Sequence, residues 1–78
     1  VTLDFVIPQA GQTELAVFDL TGARVRTLAR MDAASAGTHH LVWDLRHDDG
    51  DRVPNGLYFV RLHTPWGERT QRVSLVGR

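Results

Sequence analysis

The feature that most constrains this chain is the spacing of its apolar residues, which recur at every second position in short runs cut off by glycine and proline. Leu3, Phe5 and Ile7 alternate with Thr2, Asp4 and Val6 before Pro8. Side chains along a strand alternate between two faces, whereas a helix stripe needs spacings of three and four, so this run reads as a strand with one buried face. Residues 13–19 repeat the pattern, with Leu15 and Val17 on one face and Ala16 and Phe18 on the other. Both of those faces are apolar, which suits a central strand. Residues 23–29 turn Val25 and Leu28 inward and Arg24 and Arg26 toward solvent. Residues 39–43 set Leu41 and Trp43 on one face and His40 and Val42 on the other. Residues 57–63 give a core row of Tyr58, Val60 and Leu62, opposite Leu57, Phe59 and Arg61. Residues 68–76 turn Val73 and Leu75 inward against Arg72 and Ser74.

The segments between these runs carry turn chemistry. Residues 9–12 follow Pro8 as a turn. Asp19-Leu20-Thr21-Gly22 places Asp first, where its carboxylate bonds forward to the backbone, and Gly fourth, where a left-handed residue closes a hairpin. Thr64-Pro65-Trp66-Gly67 has Pro second and Gly67 fourth, and Pro54-Asn55-Gly56 ends the longest loop, residues 44–55, which also holds Gly50. Residues 30–36, with three alanines, are too short for an isolated helix and read as a loop. Short antiparallel strands with regular punctuation and no helix predict an all-β sandwich of six to seven strands. Its expected core is Leu15, Val17, Val25, Trp43, Tyr58, Val60, Leu62, Val73 and Leu75. With 78 residues the chain forms one domain, residues 1–78, and buries only ~60% of its unfolded surface. It opens on Val1 inside a strand, which reads as the C-terminal part of a longer protein with any targeting signal upstream.

Several function classes find no footing. Nine basic and nine acidic residues cancel, and the basic residues, all arginine, form no cluster along the sequence, so nothing marks a nucleic-acid surface. No apolar run approaches the length of a membrane-spanning helix, and membrane insertion is not expected. Cysteine is absent, which removes disulfide and thiolate chemistry. The only serines, Ser35 and Ser74, have no nucleophile motif around them. A sandwich this small offers little concave surface for paired-carboxylate catalysis, so no enzyme activity and no cofactor are expected.

The acidic loop is the strongest chemical candidate. Asp44, Asp48, Asp49 and Asp51 could together offer oxygens to Ca²⁺, although their spacing differs from the alternating ligands of the helix-loop-helix calcium motif. The competing reading has the same carboxylates capping turns at the strand end and before Gly50. His39 and His40 are adjacent on a strand and point to opposite faces, so they cannot chelate one ion together, and zinc is not expected. Trp66, in a turn, either folds over the core edge or faces a partner. Phe59, on a second face that is more apolar than solvent favours, is expected at a contact.

The run from Leu15 through Val17-Phe18-Asp19, Gly22-Ala23-Arg24 and Val25-Arg26-Thr27-Leu28 looks like a "V-Y-D-x-x-G-R-x-V-R-x-L" hairpin. Ala36-Gly37-Thr38-His39 with Trp43-Asp44 looks like "A-G-x-H-x-x-x-W-D". Asp48, Gly50, Val53, Gly56, Tyr58, Arg61 and Leu62 follow a similar spaced pattern. Together they resemble the immunoglobulin-like domain of the flagellar hook-capping family and the related C-terminal sorting domains of type IX secretion cargo. Where such domains often carry glycine after the Trp-Asp pair, this chain has Leu45. The resemblance implies an immunoglobulin-like fold and an extracytoplasmic, secreted or cell-surface bacterial setting. There the domain would serve as a sorting or anchoring module, with partners in the upstream domains of its parent or the secretion machinery. Alternatively it would be an assembly module working with identical subunits, completed by a strand from a partner chain. A third reading is a calcium- or carbohydrate-binding module using the acidic loop and Trp66.

Overall fold

In the computed structural model, which describes residues 1–75, each period-two run forms a strand. The strands are β1 (Thr2–Ile7), β2 (Gly11–Asp19), β3 (Arg24–Ala34), β4 (Gly37–Val42), β5 (Gly56–Thr64) and β6 (Gly67–Leu75). They form two antiparallel sheets. One holds β1 and β4; the other runs β3-β2-β5-β6. This is the immunoglobulin-like β-sandwich anticipated from the sequence, with six strands among the described residues. The two sheets share one core because each strand turns alternate side chains inward. Leu3 and Ile7 come from β1; Leu15 and Val17 from β2; Val25 from β3; Tyr58, Val60 and Leu62 from β5; Leu75 from β6. Trp43, just past β4, is 1% exposed and fills the space between the layers. Its ring meets Tyr58 edge-on at 5.6 Å between centroids. Val73 is only half-buried, because β6 is the outer strand of its sheet.

β2 and β5 are the inner strands of the larger sheet, and their apolar content on both faces follows from that position. Even Ala16, on the outward row of β2, is 2% exposed. The β2–β3 hairpin is closed by Asp19 and Gly22. The Asp19 carboxylate accepts Thr21 N–H at 2.9 Å, Thr21 O–H at 2.6 Å and Ala23 N–H at 3.0 Å. Gly22 takes φ +89°, a left-handed value that costs glycine little.

Two expectations are corrected. Residues 30–36 do not form a loop: β3 continues to Ala34, paired through Thr13↔Met31 and Gly11↔Ala34. A register shift between Gly11 and Thr13, where β3 runs three residues from Met31 to Ala34 against two of β2, breaks the two-residue period in this stretch, and two more, between Leu15 and Ala16 and between Val17 and Phe18, break it earlier in β3. An inserted residue changes which face each following side chain takes, so the run no longer looks like a strand. Arg26 does not stand in solvent either. One such shift lies at this point, and its side chain, 29% exposed, is drawn onto the 44–55 loop. The sequence expectation for the last strand extended to Val76, which lies outside the described residues.

Candidate functional site

The 44–55 loop is organised by the backbone it must satisfy. Asp44 Oδ1 accepts the N–H of Arg46 at 3.2 Å, and Asp49 Oδ1 that of Asp51 at 3.0 Å, both two residues ahead. Asp48 Oδ1 reaches across to accept Thr27 N–H of β3 at 3.1 Å, and Asp48 N–H donates to Val25 O. Arg26 lies between the acidic groups, with Nη1 3.3 Å from Asp44 Oδ1 and from His47 O, and Nε 3.8 Å from Asp48 Oδ1. A guanidinium thus takes the place a cation would hold between Asp44 and Asp48. Asp51 lends its carbonyl, bound by His47 N–H at 2.7 Å. Among the described residues no three metal-ligating side chains converge.

Leu45 sets the loop's direction. Its φ is +64°, a left-handed backbone that non-glycine residues adopt at a cost. The turn brings Arg46 O back to accept the Trp43 indole N–H at 3.1 Å and leaves Leu45 O to accept Val53 N–H at 2.8 Å. Val53 is buried beside Trp43 in the core, and the Leu45 side chain packs against the same cluster. At the loop's end Tyr58 O–H donates to Pro54 O, four residues upstream, at 2.5 Å. Burial, and secondarily the Asp19 carboxylate, raises the Tyr58 phenol above its ordinary value of 10.0. Gly50, Asn55 and Gly56 lie exposed in and after this loop.

The four histidines are scattered. His39 stacks on Phe5 with centroids 5.4 Å apart and bonds Ser35 O, while His40, on the opposite face, bonds Asp4 Oδ1 at 2.6 Å. His63 faces Glu68 at 3.5 Å.

The outward face of the larger sheet is covered by arginine. The Arg61 guanidinium lies 4.2 Å from the Phe18 ring centroid, and that of Arg24 lies 5.5 Å away. Glu14 receives Arg24 at 3.0 Å and Arg30 at 2.9 Å. Its carboxyl is held below the ordinary value chiefly by the Arg30 hydrogen bond. Phe59 pairs with Phe18 across this face and is half-buried. Trp66 is 57% exposed at the β5–β6 turn, where Gly67 is also exposed. Its backbone N–H donates to Thr64 Oγ1, and its indole nitrogen lies close to Gly11. With Pro8 and Arg69 it borders a shallow depression.

A larger groove, which the sequence reading did not single out, opens between β1 and β6. It has a volume of about 320 Å³ and an apolar floor of Leu3, Leu15, Val60 and Leu62, with Arg69 and Gln71 along one side. The available signal was parity: Arg69 and Gln71 share the inward row of Val73 and Leu75, where apolar residues would be expected.

Comparison with known families finds one model, described as the FlgD Ig-like domain, matching residues 1–65. No curated protein gives a significant match.

Proposed function

Since the chain belongs to the FlgD Ig-like domain family, we propose that it is a hook-cap-related assembly module, which joins its parent protein to neighbouring subunits and performs no chemistry. The carrying observation is the family match over residues 1–65, which favours an assembly role over a sorting role. The loop geometry supports a non-catalytic reading: Asp44, Asp48 and Asp49 bind backbone N–H groups, and Arg26 pairs with Asp44 and Asp48. The setting is extracytoplasmic, and the partners are other domains of the parent and further subunits of the same assembly.

The test is to remove residues 1–75 from the parent gene and to follow hook assembly by electron microscopy alongside export of the parent. The expected result is an exported, folded parent that no longer supports assembly. Normal assembly without the domain would overturn the proposal. A parent retained inside the cell would favour sorting instead.

A further inference from the structure

The inner face of the four-stranded sheet is wider than the two-stranded sheet opposite it. Strands lie ~4.8 Å apart, so two strands face roughly half the width of four. On the β3 flank the 44–55 loop closes the difference through Asp48, which is bonded to Thr27 and Val25. On the β6 flank the groove over Leu3, Leu15, Val60 and Leu62 remains open. It lies between β1 and β6, each the last strand of its sheet among the described residues. Each is paired along one edge, so alternate backbone N–H and C=O groups point away from that partner and are open to a further strand.

Two charged side chains border the groove, Asp4, which is held by His40 at 2.6 Å, and Arg69. Arg69 lies opposite Leu62 and Gln71 opposite Val60, on the row that faces the core, yet both are exposed. Arg69 makes no ion pair among the described residues. An inward-pointing charge repels a purely apolar edge strand. It accepts one that brings a carboxylate.

We propose that this groove binds a single extended segment of a partner chain, added as a third strand beside β1. One apolar side chain of the segment rests on Leu15, Val60 and Leu62, and a carboxylate two residues along pairs with Arg69. The proposal rests on the assembly reading and names the surface through which assembly would act.

The probe is the peptide acetyl-Ser-Val-Thr-Glu-Thr-Val-Ser-amide, in which both Val and the Glu share one row, with a control carrying Lys in place of Glu. Each is titrated into the 78-residue chain while backbone amide resonances are recorded. The Glu peptide is expected to shift amides of β1 and β6 and to bind roughly ten-fold more tightly than the Lys peptide. Arg69→Glu, at an exposed position, is expected to keep the fold and reverse that preference. Equal affinity for both peptides, shifts centred on Trp66, absence of binding, or dimerisation through β1 without peptide would each overturn the proposal. If binding is absent while assembly still requires the domain, the groove fails and the assembly reading survives. If the preference reverses as expected but assembly ignores the domain, the assembly reading fails and the groove survives.

Discussion

Leu45 shows most directly how one residue's conformation can be separated from its contacts. Its side chain packs on the Trp43 cluster, while its backbone sits at φ +64°. Leu45→Ala removes the packing and keeps the strain; Leu45→Gly removes both. At an ordinary position glycine would be the weaker of the two. Here we expect the glycine variant to be about 1 kcal/mol more stable than the alanine variant in urea unfolding. Trp43 carries more of the stability. Trp43→Ala removes the ring between the sheets, its edge contact with Tyr58 and its bond to Arg46 O. A loss of about 3–5 kcal/mol is expected, most of what a domain of this size has, and equilibrium denaturation would read it. Two ionisable groups contribute to the pH dependence in opposite senses. Asp19 titrates below its ordinary value of 3.8, chiefly because of the Thr21 hydroxyl bond, so its folded form stays ionised where the unfolded chain takes up a proton. Its contribution is present above pH 3.8 and is lost as pH falls through the folded value. Tyr58 acts in the opposite sense, because above pH 10.0 the unfolded chain ionises its tyrosine first and stability falls as pH rises. In a melting-temperature profile, Asp19→Asn should flatten the acid limb and Tyr58→Phe the alkaline one.

Among the elements, β3 and the 44–55 loop act as a pair. Arg26 of β3 holds Asp44, His47 O and Asp48 together. Arg26→Ala is expected to cost under about 1 kcal/mol globally, since its partners are solvent-exposed. It should nonetheless release the loop, making tryptic cleavage after Arg46 and Arg52 several-fold faster than in the parent chain. Unchanged cleavage would show that the backbone bonds alone fix the loop. This pair also marks where the sequence stopped being legible. β1, β2, β4 and β5 could be read because their alternation is unbroken, as could the Asp19 turn, whose chemistry is local. The second half of β3 could not, because its register shifts erase the period. Nor could the role of Arg26, because its partners lie 18 to 22 residues away along the chain. The groove was half legible: Arg69 and Gln71 stood on the wrong row, but only the width difference between the sheets gives that row a meaning.

At the scale of the whole molecule, the two sheets are unequal in support. β2 and β5 are paired on both sides, while among the described residues β1 and β4 pair only with each other, joined by contacts such as Thr2↔Val42 that close a long stretch of chain. Local opening follows such differences. Native-state hydrogen exchange should find the β1 and β4 amides opening at lower free energy than those of β2 and β5. Equal protection throughout would mean that the shared core makes the sandwich one cooperative unit. A partner strand laid beside β1 should raise protection there first, because it adds bonds to the less supported sheet.

The register shifts in β3 have one more consequence, for life in a crowded solution. β3 is eleven residues long, and apart from the bonds of Val25 and Thr27 to Asp48 its far edge pairs with no further strand among the described residues, which in a straight strand would be a template for fibril growth. Because its twist and spacing change at each shift, a regular neighbouring strand can match it over only a few residues before the ladder falls out of step. The irregularity that hides this strand from a reader of the sequence also makes its edge a poorer template for a regular neighbouring strand than its length alone would make it.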